Sequence, residues 1–506
     1  MNDLVIAYDL GTGGIKSSAV SVEGKVVCST FVAYDTYYET GGIQEQAPED
    51  WWHALVESTH RLLQSEGVEA GAVRAVAISG HSLGVVPIGA DGSLLRHRTP
   101  IWSDTRAREE TEDFFRKVDY RAWYEETGNG FPAACYPLFK IAWYRQHEPE
   151  MYRLIDKVIG TKDYCNYRLT GCLCTDYSYA SGCGAFSLHT WKYREDYIEA
   201  AGVPYSFFPK LIPSDGIVGD ITPQAATETG LPVGVKVICG GVDNSCMALG
   251  AKGITDGRVY TSLGSSAWIA LVSGSPVLDF QYKPYVFAHV LPGMYASALC
   301  IFSAGTSFQW VRKMLCADLL EKEKEGKLDS YLEIDRLVSS SAPGANGVLF
   351  NPSMAGGSMM EPTPDMSGAF TNLKLEHTRG DLLRATREGI AMNLRIALDL
   401  LRRYNRDMER MLIVGGGAKS PTWMQIFADI YGLPVEKTNI DQEAASLGAA
   451  ALALNGIGLW QGYGQIDRLH QTEYTYQPRE EYRDVYADAQ QRFEALRDNI
   501  ANINKP

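Results

Sequence analysis

One pattern occurs twice along this chain, and it constrains the fold more than any other feature. Residues 4–22, LVIAYDLGTGGIKSSAVSV, run from an apolar segment into Asp9, through a glycine loop (Gly11, Thr12, Gly13, Gly14), and on into an alternating segment. Tyr260-Thr261-Ser262-Leu263-Gly264-Ser265-Ser266, followed by residues 267–273, repeats that order. Met411–Val414 with Gly415-Gly416-Gly417 echoes residues 73–78, which close in Ser79-Gly80-His81-Ser82-Leu83-Gly84. Residues 441–449 match residues 243–251 in spacing and share Leu-Gly-Ala. Self-similarity of this kind predicts a duplicated unit of strand meander plus helices rather than two unrelated domains.

The glycine loop itself carries chemistry. Apolar-then-alternating patterning reads as a buried strand turning into its neighbour, and Glu23-Gly24 signals a second turn before a third strand. A Walker A loop needs glycine directly before the lysine, where Ile15 stands, and a dinucleotide fingerprint needs a third glycine where Lys16 stands. What remains is a glycine hairpin whose backbone N–H groups can cradle a phosphate, with Asp9 at the strand end beside it. The plain alternative is a hairpin that merely tolerates glycine.

The chain of 506 residues is long enough for about two or three domains, each with its own core. The repeat divides it into residues 1–253 and 254–506. A net charge of −14 argues against a nucleic-acid or anionic-membrane partner. The beginning MNDLVIAYDL lacks the basic region and cleavage site of a signal peptide, and no apolar run reaches bilayer length. The ten cysteines are scattered, and Cys172 and Cys174 form a lone CxC without a second pair, so zinc is not expected. A reduced, cytoplasmic protein is the expectation.

Between the repeats, Pro48-Glu49-Asp50 opens an amphipathic helix with Trp52, Leu55, Thr59 and Leu62 on one face. Residues 152–167 read as a strand and helix around Gly160, and Thr175-Asp176-Tyr177-Ser178 as a loop. The second copy carries an extra helical stretch over about residues 306–338 and ends in a helix striped with Tyr482, Val485, Tyr486, Ala489, Phe493 and Leu496. Two hairpins related by duplication would face each other across a cleft, with strand-end carboxylates Asp9 and Asp243 at its floor. Phosphoryl transfer needs mainly positioning, Mg²⁺ and a base near the acceptor hydroxyl, and two carboxylates can divide that labour. Taken singly, Asp243 can be a helix N-cap, His81 a loop histidine and Trp102 a core residue.

In combination these segments resemble the FGGY carbohydrate kinases of the actin-like ATPase superfamily, over almost the whole chain. Asp9-Leu10-Gly11-Thr12-Gly13 and Leu263-Gly264-Ser265-Ser266 are similar to that family's two phosphate loops. Gly240-Gly241-Val242-Asp243-Asn244 resembles the segment of its catalytic aspartate, and Gly415-Gly416-Gly417-Ala418-Lys419-Ser420 its adenosine loop. Ser303-Ala304-Gly305 with Gln309-Trp310 resembles the start of its nucleotide-side helix. Pro137-Leu138-Phe139-Lys140-Ile141-Ala142-Trp143 is similar to one signature, and the stretch from Gly368 through Glu388 to the other, with Asn372 where glycine is usual.

The resemblance implies an α/β protein of two ribonuclease H-like domains with a nucleotide and sugar cleft between them, the first binding sugar and phosphate, the second nucleotide. It implies an ATP-dependent kinase for a small ketose or polyol, with ATP and Mg²⁺ as cofactors. Asp243 would be the general base, and Asp9 with Asp243 would face the metal. Thr12, Gly13, Gly264 and Ser265 would hold phosphates, and Gly305, Gln309, Gly416, Gly417 and Ala418 the nucleoside. His81, Ser82, Trp102, Asp243 and Asn244 would line the acceptor pocket. The general cast is nearest xylulokinases, which read Gly-Gln-Met-His-Gly where this chain reads Gly80-His81-Ser82-Leu83-Gly84. D-xylulose is therefore an alternative substrate rather than the expected one. An actin-like ATPase without a sugar acceptor, and a catalytically silent sugar sensor, remain alternatives of another class, and a homodimer is an assembly left open.

Overall fold

A computed structural model describes residues 3–441 and 443–504. Gln442, one position of the matched stretch 441–449, and the terminal residues 1–2 and 505–506 lie outside the described residues. The chain forms two compact units that are not consecutive halves. The first comprises Met1–Asp256, Val272–Ser297 and Glu443–Leu469; the second comprises Gly257–Leu271, Ala298–Gln442 and His470–Pro506. Two segments of the expected second half, 254–506, thus belong to the first unit.

The first unit is built on β1 (Leu4–Gly11), β2 (Gly14–Ser21), β3 (Val26–Ala33), β4 (Val73–Gly80), β5 (Ile217–Asp220) and β6 (Lys236–Val242), in the order β5-β6-β4-β1-β2-β3. β1 and β2 are antiparallel and joined through Thr12-Gly13, whereas β1, β4 and β6 run parallel. Those parallel strands are apolar on both faces because helices cover both. Helix Pro48–Leu63 packs against β2 and β3, and helix Ala444–Gly456 against β1, β4 and β6. Trp51, Trp52, Leu55 and Leu62 join Ile6, Tyr8, Val76 and Ile78 in one buried cluster.

The second unit repeats the plan. β7 (Arg258–Leu263), β8 (Ala267–Ser273), β9 (Met411–Val414), β10 (Val435–Thr438) and β11 (Thr472–Tyr476) lie in the order β8-β7-β9-β10-β11. Each strand takes the place of its counterpart in the sequence β2-β1-β4-β6-β5, down to an antiparallel strand beside the last parallel one. Among the described residues, no helix is long and apolar enough to cross a membrane.

Two details differ from the sequence expectations. Residues 175–178 are not loop: strand Cys174–Asp176 leads into helix Tyr177–Ser181. The Asp176 and Ser178 side chains there are buried and hydrogen-bonded within the protein, with the Asp176 carboxylate capping the helix by accepting from Ser178 N and Tyr179 N. The last helix, Arg483–Ile503, buries Tyr486, Ala489, Gln490, Phe493 and Arg497, leaving Val485 exposed. Arg497 and Gln490 donate to the carbonyls of Met360 and Met392, so their burial is paired and invisible to a hydrophobic stripe.

The duplicated Leu-Gly-Ala motifs meet. Helices Asp243–Gly250 and Ala444–Gly456 cross so closely that a Cβ on Gly250 would lie 1.8 Å from the Ala444 carbonyl oxygen. A Cβ on Gly448 would lie 2.0 Å from that of Cys246. In an open helix, Gly→Ala stabilises by about 1 kcal/mol. Here the added methyl meets backbone, so Gly448→Ala should destabilise the protein by roughly 1–3 kcal/mol. Urea titration checks this; a raised midpoint would contradict the close crossing.

Candidate active site

The carboxyl ends of three neighbouring parallel strands form a row. Gly80 of β4 pairs with Leu10 of β1 on one side and Val242 of β6 on the other. The residues at or just past those ends are therefore Asp9, His81-Ser82 and Asp243-Asn244, at the sheet edge where open α/β folds bind ligands. A register shift between Ile238 and Gly241 turns the end of β6. Gly240 sits there at φ +73°, and a Cβ on it would lie 1.9 Å from the Ile78 carbonyl oxygen, so only glycine permits the bulge that re-aims Asp243.

Asp9 accepts from Ser79 Oγ at 3.0 Å. Burial pushes its carboxyl up, against the opposing effects of that hydrogen bond and of Lys16. Lys16 is itself held at 2.9 Å by Glu443. Asp243 is the first residue of its helix rather than the cap, which is Val242, so the N-cap alternative does not hold. Its Oδ1 accepts from the backbone N and Nδ2 of Asn244 at 2.8 and 3.0 Å. Burial first, and the charge of Asp9 second, push the Asp243 carboxyl up to about 7.

The hairpin and its neighbours are tied together around this row. Trp102 Nε1 donates to Thr12 Oγ1 at 3.0 Å, and Gln46 Nε2 donates to the Thr12 carbonyl at 2.6 Å. Gly13 at the tip is exposed. His81 is buried, edge-on to Trp51 at 5.6 Å, and neither ring nitrogen has a hydrogen-bond partner among the described residues. Burial pulls this imidazole down to about 4, so the ring is neutral and offers one donor and one acceptor. Ser82 is buried beside it. Leu83, at φ +60°, sends its side chain into the apolar cluster of Trp123, Leu138 and Phe139 and contributes no polar group.

In the second unit, a cavity of about 590 Å³ is lined by Gly264, Ser265, Gly305, Gln309, Gly416 and Gly417. Ala418 is wholly buried and lies outside that lining. The β7–β8 loop is docked onto the start of helix Gly305–Leu315: Gly305 N donates to Gly264 O, and Ala304 N and Thr306 N donate to Ser265 O, each at 3.0 Å. A Cβ on Gly305 would sit 2.4 Å from that Gly264 oxygen, which is why glycine stands there.

The same cavity is lined by residues that motif reasoning missed, chiefly Tyr331, Asp335, Arg387 and Trp423. Arg387 is fully buried, paired with Asp335 at 2.6 Å, and stacked 5.1 Å over Phe308 and 5.5 Å over Trp423. Ser420 Oγ also donates to Asp335, at 2.9 Å. An arginine on the buried face of helix Arg379–Tyr404 was the available signal, because buried guanidinium groups are rare unless paired.

A glycine hairpin with strand-end carboxylates in one unit, and a glycine-walled, aromatic-floored cavity in its duplicate, define an actin-like kinase fold. Residues 4–250 match the FGGY family of carbohydrate kinases, N-terminal domain, and residues 259–456 its C-terminal domain. The chain belongs to that family and is an ATP-dependent sugar kinase. It is 30% identical over 497 residues to a xylulose kinase of Staphylococcus epidermidis, covering 98% of this chain and 97% of that one. A gluconokinase of Bacillus licheniformis is 25% identical over 482 residues, 95% and 93% of the two chains. The crystal structure of xylulose kinase from Rhodospirillum rubrum superposes with a TM-score of 0.89 at 28% identity over 99% of both chains.

The raised Asp243 carboxyl has a consequence for stability. The folded protein holds a proton on it that the unfolded chain releases near the ordinary carboxylate range. Its contribution is therefore full at low pH and lost as pH rises through about 7. In metal-free buffer, Asp243→Asn should raise the thermal midpoint at about pH 8, by an amount worth on the order of 1 kcal/mol or more, and by less at about pH 5. Scanning calorimetry at both pH values checks this; an equal change at both would mean that Asp243 titrates normally.

Proposed function

We infer that Asp243 is the general base of the transfer and that the acceptor is a small ketose or polyol. The observation that supports this reading is the row of strand ends, which sets a carboxyl titrating near 7 beside Asp9 and next to His81 and Ser82. A base of that strength suits an alcohol acceptor at neutral pH. The Asp243 oxygens take the hydroxyl proton as the oxygen bonds to the terminal phosphorus of ATP and the bond from that phosphorus to the bridging oxygen breaks, releasing ADP; Asn244 orients the carboxylate. His81, Ser82 and Trp102 line the acceptor pocket. Thr12, Gly13, Gly264 and Ser265 offer donors to the phosphates, while Gly305, Gln309, Gly416, Gly417 and the Ala418 backbone face the nucleoside side. Residues 1–253 thus carry sugar and phosphate binding, and 254–506 nucleotide binding.

Asp9 and Asp243 supply hard carboxylate oxygens, which suit Mg²⁺. Among the described residues, no group of three or more His, Cys, Asp or Glu could hold a metal ion. That fits a cation completed by phosphate oxygens and water rather than caged by protein. Bound there, it would neutralise charge on the transferring phosphoryl group. The ten free cysteines support a reducing, cytoplasmic setting.

The identity to a xylulose kinase favours D-xylulose as the second reading. Leu83 weighs against it, because its side chain is committed to the core where the xylulokinase signature presents a histidine. A sugar hydroxyl left unpaired there costs about 1–3 kcal/mol. Kinase assays on a panel of ketoses and polyols should therefore give D-xylulose a kcat/KM at least about tenfold below the best substrate, with Ser82→Ala hurting that best substrate more. D-xylulose at the top of the panel would make the enzyme an ordinary xylulokinase, and ATP turnover indifferent to every sugar would favour an actin-like ATPase.

A further inference from the structure

Lys140 lies in the segment Pro137–Trp143 and has no part in the chemistry described above. It sits on helix Pro137–His147, wholly buried. Among the described residues its ammonium meets no carboxylate. It donates instead to two main-chain oxygens, Ile101 O at 2.6 Å and Leu83 O at 3.2 Å. Asp104, the nearest acid in its field, spends its oxygens on Arg106 and on the backbone N of Gln44. A buried lysine that serves only carbonyls is costly, so the carbonyls it serves identify its task.

Those carbonyls belong to the two loops that carry the acceptor contacts. Leu83 follows His81 and Ser82, and holds a left-handed backbone conformation that costs energy in a residue other than glycine. Ile101 precedes Trp102, whose indole reaches the glycine hairpin at Thr12. One ammonium therefore ties the 81–84 loop to the 101–104 loop from behind. We propose that Lys140 is a positioning residue for the sugar acceptor, holding His81-Ser82 and Trp102 at their working separation. This rests on the assignment of those residues to the acceptor pocket.

The titration of Lys140 gives the role a signature. Burial pulls its ammonium down to about 8; Asp104 and Cys135 oppose the shift, and Arg106 adds to it. The neutral His81 ring stands within the same field. Above about pH 8 the charged donor is lost and the two loops are held less firmly. The unfolded chain keeps its lysine proton to higher pH, so this group's contribution to stability rises, not falls, over that range. Weaker sugar binding there cannot be read as unfolding.

The experiment measures sugar and ATP KM values and kcat for wild type and Lys140→Met across pH. The variant should raise sugar KM about tenfold with ATP KM unchanged and kcat within about threefold, the pattern of a lost ground-state contact. Wild-type sugar KM should climb above about pH 8, and that climb should be absent from the variant. Unchanged sugar KM in Lys140→Met, or a fall in kcat and both affinities together, overturns the proposal. If the variant does not fold, the wild-type profile decides: a sugar KM flat from about pH 7 to 9 overturns it. Ser82→Ala and Trp102→Ala are measured alongside. Should they raise sugar KM while Lys140→Met does not, only the positioning role fails; should none of the three move it, the pocket assignment fails as well.

Discussion

Two carboxylates at the ends of the strands that flank β4, Asp9 and Asp243, repel each other in a recess that water does not fully reach. Neither would be tolerated in an ordinary core. The surrounding structure holds the pair in place: Ser79 donates to one, Asn244 to the other, and the parallel pairing of β1, β4 and β6 fixes their spacing. Burial first, and the same repulsion second, lift Asp243 into the range where a carboxylate can accept a proton from an alcohol. Stability is given up at the place where chemistry needs it, as functional sites commonly require.

Close backbone approach is the second constraint, and glycine marks each instance. Gly240 permits the bulge before Asp243, Gly305 lets the second hairpin dock on its helix, and Gly250 with Gly448 lets the two duplicated helices cross. Each has backbone oxygen where a methyl would go.

Much of this was legible in the sequence, for a physical reason. The hairpin, the repeat and the strand ends are local patterns of apolar period and glycine, and local patterns survive in one dimension. Even the departure at Asn372 is instructive: it stands at φ +61°, and asparagine is the residue other than glycine that best accepts a left-handed backbone. What could not be read is whatever depends on long-range pairing. Arg387 meets Asp335, Lys140 meets Leu83 and Ile101, and Asp176 accepts from Ser214. Each is a polar residue whose burial makes sense only once its partner, distant in sequence, is beside it. In the last helix, hydrophobic periodicity found Tyr486, Ala489 and Phe493 and missed Gln490 and Arg497 for the same reason.

The proposed transfer depends on Asp243 as its base. Asp243→Asn keeps the size and much of the hydrogen bonding of the side chain while removing its ability to take a proton. Steady-state kinetics on the best sugar should show kcat reduced by roughly 10²-fold or more, with MgATP affinity from titration calorimetry changing far less, because the nucleotide is held mainly by other residues. A variant that keeps near wild-type kcat would show that the carboxylate is structural and that the proton leaves by another route.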